Sequence, residues 1–475
     1  MEIKRFVAAG RRVWNRIGDA VLAAALIAAS LALYVQTLAP SIATLFDDSL
    51  EVPLVAHRLG ITHPTGYPLY TLLGKLFTLG PWQNVAWAVN FLSAVAGALV
   101  VVLVYLVARQ LSRRRLPALL GAVALAVSPV FWSQAAIAEV YTLAGVFVAA
   151  LLWLALRWAR RPLLPVEPFS LLFAEPRARA PLFLPGEGVR ARLPLAVRRV
   201  AYRVRAVYRR FFPPLPPKRR LRLHPSLYAL AALYGLSLTH HRMALLLAPA
   251  LLVFVLLVEP RVLSRAALLG PEHPDRPRWR QVAGRPIVLL ILCLVLPLLL
   301  YLYLPLRGSA GSLDGTYVNS WRGFWQWVMA SSYNVFLGEN PLARNLDGAF
   351  YADLFWQQFG PLGLGLALVG VCGLIFRRMP DRGRGDGLKA LALTGLAFLI
   401  YLAFAVVYRV PDVEVFFIPA FLVVAVWIGV GLDYAADLLR PRGGSLALRR
   451  LLAVGSALLF LAAILQPLVI AVRNY

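Results

Sequence analysis

The chain has 475 residues, of which 60% are hydrophobic and only 15% charged, against about 45–50% apolar and 25% charged in a soluble domain. Apolar runs recur from end to end, which excludes a single soluble globule and points to a polytopic membrane protein. The net charge of +27 is not read as nucleic-acid affinity, because the arginines sit between apolar runs, where positive charge reports orientation first.

Lys4, Arg5, Arg11, Arg12 and Arg16 precede an apolar run from Asp19 to Leu38. The run is long for a signal peptide and "TLAPS" is a poor cleavage site, so an uncleaved first span is expected. A span needs roughly 20 mainly apolar residues. On that basis eleven spans are expected, near 18–37, 86–109, 116–133, 137–157, 225–239, 242–258, 286–304, 360–376, 388–408, 414–434 and 450–472. The expected fold class is therefore all-α, a polytopic transmembrane helical bundle, with a cytoplasmic N-terminus and a plasma-membrane location. Arginine clusters at 113–115, 157–222, 259–285, 377–384 and 440–450 then fall inside. The outer stretches 38–85, 134–136, 305–359 and 409–413 carry acids and few cations, which supports that orientation. Cys293 and Cys372 lie inside spans and are expected as free thiols.

The chain divides into an N-terminal transmembrane region (residues 1–157), a basic Pro/Arg-rich cytoplasmic segment (158–224) and a C-terminal transmembrane region (225–475). In the middle segment Val197, Val200, Ala201, Val204, Val207 and Phe211 recur at helical spacing with Arg on the other face. An amphipathic helix on the anionic inner leaflet and a topology-setting linker are both open readings. The segment has no stacking platform for nucleic acid.

The first outer loop holds "FDDSLEVPLVAHRLGITHPTGYPLY", Phe46 to Tyr70. Short interfacial helices are expected over 49–59 and 67–79. Asp47, Asp48 and Glu51 fit a capping box, in which Asp48 caps a helix and Glu51 reaches back to it. They also fit a catalytic site, and three acids in five residues are too few to establish a Ca²⁺ or Mg²⁺ site. "HPTGYP", His63 to Pro68, is a turn whose Pro68 can open the next helix. His63 is either a turn residue bonded to backbone or a ligand for phosphate or carboxylate.

Further along, "FWSQAAIAEVYTL" puts Glu139 and Tyr141 at the outer end of a span, where a carboxylate is costly unless paired or wet. "SLTHHRMALL" places His240, His241 and Arg242 at a tight outer turn. Arg307 in "YLPLRGS" and Arg409 in "YRVPDVEVFFIP" lie at the same level, the latter beside Asp412. Each cation alone can be a snorkelling headgroup contact. Together, acids on one outer loop face Arg and His from three others, which suits a carboxylate acting near a lipid-linked phosphate. Trp321, Trp325, Trp327, Tyr333, Tyr351 and Trp356 crowd the outer loop 305–359. Such aromatics favour the membrane boundary and also stack on sugar rings.

The ordered motifs "DDSLE", "HPTGYPLYTLLGKLF", "VNFLSA", "FWSQAAIAEVYTL", "YLPLRGS" and "YRVPDVEVFFIP" resemble a polytopic membrane family related to the protein O-mannosyltransferases, of the GT-C class of glycosyltransferases. The resemblance runs from about residue 20 to 430. Leu50 stands where that family commonly has Gly, which keeps both acids and changes backbone freedom. The resemblance implies inverting transfer of a sugar, often mannose, from a polyprenyl-phosphate donor to a hydroxyl of a protein, glycan or lipid at the outer face. It maps the catalytic base to Asp48, with Asp47 and Glu51 beside it. His63, His240, His241, Arg242, Arg307 and Arg409 are then expected to bind the donor phosphate. Glu139, Tyr141, Tyr67 and Asp412 are expected to bind the acceptor or support those groups. No cofactor is expected beyond the lipid-linked donor, and metal dependence stays open. The bilayer, the donor and an acceptor are the expected partners, and nucleic acid is not. A lipid-phosphate transporter or flippase, or a scaffold without chemistry, is the rival class.

Overall fold

The computed structural model describes residues 2–43, 47–82, 84–161, 163–166, 220–269, 277, 279, 282, 284–337, 346–376, 384–441, 443 and 445–474. Helices α1 (Glu2–Gln36), α2 (Asp47–Arg58), α3 (Pro68–Thr78), α4 (Val85–Leu111), α5 (Arg115–Ala126), α6 (Pro129–Ala135) and α7 (Tyr141–Trp158) form the N-terminal region. The C-terminal region holds α8 (Pro225–Leu238), α9 (Ala248–Val258), α10 (Pro286–Val295), α11 (Trp321–Val328), α12 (Gly348–Phe376), α13 (Arg384–Val407), α14 (Ile418–Leu438) and α15 (Leu446–Asn474). Residues Leu163–Val166 pair antiparallel with Arg220–Leu223. The amphipathic helix expected around 197–211 lies outside the described residues.

Eight helices among the described residues are long and apolar enough to cross a membrane, and the bent pair α5 and α6 makes a ninth if it is one span. With the shorter apolar helices Pro225–Leu238 and Arg242–Val258, each expected span has a helical counterpart. The chain is an integral multi-pass membrane protein.

Two spans differ from expectation, and proline explains both. The stretch 116–133 turns by 70° between α5 and α6. Ser128 precedes Pro129 and takes extended backbone there, as residues before proline do. The span expected from 360 begins instead at Gly348 and kinks at Gly360, φ 58°, ahead of Pro361. In the first outer loop, α2 and α3 are the two expected short helices.

α14 is the axis of the bundle. It is buried from Ile418 to Asp433 and packs against α5 and α12. A Cβ built on Gly431 would lie 1.8 Å from the Leu366 carbonyl oxygen and 2.8 Å from the Gly370 nitrogen. Such backbone approach is how helices associate in lipid, where apolar burial gives no net drive. At the periphery α10 and α15 expose leucines such as Leu289, Leu292, Leu451 and Leu458, as a lipid-facing helix does.

The end remote from α2 is closed by ion pairs. Asp19 accepts from Tyr105 OH at 2.6 Å, Arg109 Nε at 3.0 Å and Arg115 Nε at 2.9 Å. The buried Asp433 accepts from the Arg113 and Arg114 backbones, and Asp437 takes the Arg114 Nη2 at 2.7 Å.

Gly431→Ala must push two helix backbones apart. We expect a loss of about 1–3 kcal/mol, the usual cost of overpacking, read as a lower unfolding midpoint in detergent. An unchanged midpoint would show that the α12–α14 crossing has slack.

Candidate functional site

The site is built on a turn, 57–63, that joins α2 to α3. Its carbonyls are taken one after another by side chains. Lys75 Nζ donates to the His57 oxygen at 2.6 Å, Arg307 Nη2 to Arg58 at 3.2 Å and Arg307 Nε to Leu59 at 2.6 Å. Tyr303 OH donates to the Gly60 oxygen at 2.6 Å and Trp327 Nε1 to Thr62 at 3.0 Å. The Ile61 N–H donates to the Gly311 carbonyl at 3.1 Å. A turn at a membrane surface must satisfy such groups, and here α3 and the stretch from Tyr303 to Trp327 supply the partners. Arg307, expected as a phosphate ligand, is an anchor of this turn.

The anchored turn delivers His63 to the first turn of α2. Glu51 grips it twice: its Oε1 accepts from the His63 backbone N–H at 2.9 Å and its Oε2 lies 2.5 Å from Nδ1. His63 Nε2 faces Asp48 Oδ1 at 3.4 Å. The reciprocal capping box is therefore not formed. The helix starts at Asp47, so Asp48 lies inside it, and Glu51 is committed to His63. The Asp47 side chain lies outside the described ones. Burial alone would lower the His63 pKa; the charge of Asp48, the Glu51 bond and the charges of Glu51 and Asp314 outweigh it and raise it to about 9. His63 is thus an imidazolium held between two carboxylates, which replaces the expected phosphate contact.

"HPTGYP" then turns into α3. Gly66 has φ +83°, and a Cβ there would meet Leu304 at 2.6 Å. Tyr67 is left-handed, with φ 35° and ψ 53°, a conformation that costs an L-residue about 1–2 kcal/mol. Its ring is fixed on both sides. His63 meets it edge-on at 5.1 Å between centroids and His241 stacks on it at 5.6 Å.

Those contacts belong to a closed circuit of rings. His241 neighbours Tyr141 at 6.0 Å, Tyr141 meets Phe416 at 5.4 Å and Phe416 meets Tyr408 at 4.8 Å. Tyr408 neighbours Phe336 at 6.0 Å, Phe336 neighbours Tyr333 at 5.5 Å, and Tyr333 returns to His63 at 6.0 Å. The circuit gathers stretches from His63 to Phe416, far apart in the chain. Asp48 lies within electrostatic reach of all four of its tyrosines. Burial and then the charge of Asp48 push Tyr67 and Tyr333 above the ordinary phenol range. Tyr408 rises to about 12, with burial first, Arg242 opposing, and Asp412 and Asp48 adding.

Behind the circuit lies a layer of polar groups. Glu139 is buried; Ser49 Oγ donates to its Oε1 at 3.0 Å. Burial, and then the charge of Asp48, push it well above the usual carboxyl range. His240 Nε2 bonds the Val140 carbonyl at 2.8 Å, and His241 Nδ1 accepts from the Met243 N–H at 3.1 Å. Burial lowers His240 to about 4, and burial, with the neighbouring His240 ring, Arg242 and His63, lowers His241 well below the imidazole range. The pair was expected as phosphate-binding cations; it is neutral, with its tautomers set by these bonds. The positive charge at this turn is Arg242, whose Nη1 donates to the Met329 carbonyl at 2.7 Å. Arg242 acts on Tyr408 and His241, so it shares the surroundings of Asp48. Asp412 acts on Glu139 and Tyr408 from a third side. Arg409 is exposed and reaches Tyr351, at the edge.

Sequence reasoning passes over Tyr408, Phe336 and Phe416 as site residues. Tyr408 and Phe416 lie inside the motif that carries Arg409 and Asp412, which is the signal that points to them. Phe336 carries no such signal.

Residues 48–167 match the family model described as the Protein O-mannosyl-transferase TMEM260 N-terminal domain. Four of the six motifs fall wholly or almost wholly within this stretch, and the two around Arg307 and Arg409 lie beyond it. The matched stretch contains Asp48, Glu51, His63, Tyr67, Glu139 and Tyr141. Protein O-mannosyl-transferase tmem260 of Dictyostelium discoideum is 31% identical over 144 residues, 30% of this chain and 17% of that one. The Mus musculus Protein O-mannosyl-transferase TMEM260 is 36% identical over 152 residues, 32% of this chain and 21% of that one. The chain thus aligns with about a fifth of the length of these relatives. Among solved structures, ArnT from Cupriavidus metallidurans bound to undecaprenyl phosphate superposes with a TM-score of 0.49 at 13% identity, over 96% of this chain and 72% of that one. Its apo state gives 0.49 and 13%, over 95% and 71%.

Arg307→Met removes two charge-assisted bonds from the turn. We expect a loss of about 1.5–3 kcal/mol in detergent unfolding experiments, whereas unaltered stability would remove its anchoring role.

Proposed function

We propose that the protein is a membrane glycosyltransferase of the GT-C class, which moves a sugar, mannose being the expected one, from a polyprenyl-phosphate donor to a hydroxyl acceptor at the outer face. The observation that carries this reading is an acid, Asp48, paired with the His63 imidazolium and set beside a circuit of rings with Arg242 close by. Rings pack on the C–H face of a pyranose, and tyrosine hydroxyls bond its hydroxyls. The match of residues 48–167 to an O-mannosyl-transferase family model and the names of the curated relatives support the same class.

In this reading the acceptor oxygen attacks the anomeric carbon as the bond from that carbon to the phosphate oxygen breaks. The electron pair leaves with the polyprenyl phosphate, and the acceptor proton passes to Asp48. The configuration inverts, because nucleophile and leaving group occupy opposite faces of the sugar. Arg242 receives the phosphate charge through guanidinium donors left over from its Nη1 bond to Met329. Arg307, committed to the turn, does not. Glu139, as an uncharged acid, holds a substrate hydroxyl. The rival transport reading requires a polar path through the span centres. The buried carboxylates Glu139, at one end, and Asp433 and Asp437, at the other, instead lie at the ends of the bundle, which favours a one-sided site.

The test uses the purified full chain, radiolabelled polyprenyl-phosphate mannose and a Ser/Thr peptide. Asp48→Asn is expected to lower kcat by about 10²–10⁴-fold, the usual share of a general base, in a protein that remains folded by circular dichroism. Transfer at the wild-type rate would exclude Asp48 as the base. Lipid movement across vesicles without sugar transfer would favour the transporter.

A further inference from the structure

His63 has no ring nitrogen left for a substrate. Nδ1 is bound to Glu51 at 2.5 Å, Nε2 points to Asp48 at 3.4 Å, and the backbone N–H holds Glu51 again at 2.9 Å. Glu51, with both oxygens used, is equally withdrawn from chemistry. The two side chains and the anchored turn form one clamp that ends on Asp48.

We propose that His63 is a positioning residue for Asp48: held cationic by Glu51, it fixes the orientation of the Asp48 carboxylate and keeps it ionised to accept the acceptor proton. The second half of this statement rests on the glycosyltransferase reading above. His63 keeps both its protons through the step. The proton gained by Asp48 leaves to water after the product does.

The groups facing His63 account for its charge. Asp48 and Glu51 come from α2, Asp314 from the loop before α11, and the rings of Tyr67 and Tyr333 flank it. The neutral His241 lies beyond Tyr67. Three carboxylates around one imidazole outweigh its burial, and the proton is held up to about pH 9. The sign follows. Below the ordinary imidazole value of about 6.5 the stabilisation of the folded clamp is complete. It fades as the pH rises through about 9, where the folded His63 loses its proton. Above that point Asp48 faces a neutral ring and loses its fixed partner. The rate of transfer should fall on an alkaline limb that belongs to His63.

Two measurements on the full chain in nanodiscs separate the clamp from the reaction. The first is NMR of ¹³C-labelled histidine, with six histidines in the chain and His63→Gln identifying the signal. His63 should titrate near pH 9, and Glu51→Gln should lower that midpoint by about one pH unit or more. The second is the pH profile of transfer from polyprenyl-phosphate mannose to a Ser/Thr peptide. Its alkaline limb should move with Glu51→Gln by the same amount. His63→Gln keeps an N–H donor but no charge. It should abolish the limb and lower kcat about 10- to 100-fold, the cost of a misplaced group, with KM unchanged. A wild-type His63 that titrates at the ordinary imidazole value overturns the proposal, and so does His63→Gln with wild-type kcat and limb. Absence of any transfer by the wild type refutes the glycosyltransferase reading alone. The NMR titration then still decides the clamp.

Discussion

The satisfaction of the carbonyls of residues 57–60 and 62 is the constraint on which the rest of the site depends. A loop at an apolar surface cannot leave such groups unpaired. Lys75 supplies one donor from α3, and Arg307, Tyr303 and Trp327 supply the others from beyond α10. The loop between α2 and α3 and the loops after α10 are therefore one unit, although they lie far apart in the chain. That unit carries His63 to Glu51 and Asp48. The same donors serve α2 itself. Acids occupy its first turn, and Lys75 and Arg307 bond the carbonyls at its last, so charge complements the helix dipole at both ends. In the proposed reaction Asp48 acts ionised, and its place in the first turn of α2 suits a negative charge.

The other end of the bundle works by a different means. Arg113, Arg114 and Arg115 are not bare topogenic charges. They bond Asp19, Asp433 and Asp437 and join α1, α5 and α14. With the glycine contacts of α14 they make a stiff base, on which the loops of the opposite end can hold a site in place. Function on loops borne by a rigid scaffold is the common arrangement, and here the scaffold is fastened at one end and in the middle.

Much of this was legible in the sequence. Hydropathy located every described span, and the alternation of Arg and acid between them gave an orientation to argue from. Asp48, Glu51 and His63 stood out because charge is rare in such a chain. What the sequence hid was the identity of their partners. Arg307 reads as a phosphate ligand until its carbonyl acceptors are seen. His240 and His241 read as cations until their burial is known. The ring circuit joins His63 to Tyr333 and Tyr408, and no local pattern encodes pairs so far apart. The errors in span boundaries have a plainer origin. Pro129 and Pro361 are single residues that barely lower the mean of a hydropathy window, yet each marks a corner.

The charges around the site limit how a donor can lie in it. Asp48 is already matched by His63, and His63 is over-matched by Glu51 and Asp314, so this side offers a phosphate only repulsion. The neutral histidine pair beneath offers hydrogen bonds without charge. Arg242, approaching from the turn after α8, acts on the circuit while its Nη1 bonds the carbonyls of Met329 and Ala330. In the proposed reaction a lipid phosphate is therefore drawn towards Arg242 and kept from Asp48. An inverting displacement requires that separation, because the base must meet the acceptor on the face of the sugar that the phosphate does not occupy. Under the proposed function the histidines divide the labour by their surroundings: His63, among acids, carries charge to direct Asp48, while His240 and His241, among rings, stay neutral and leave the phosphate to Arg242.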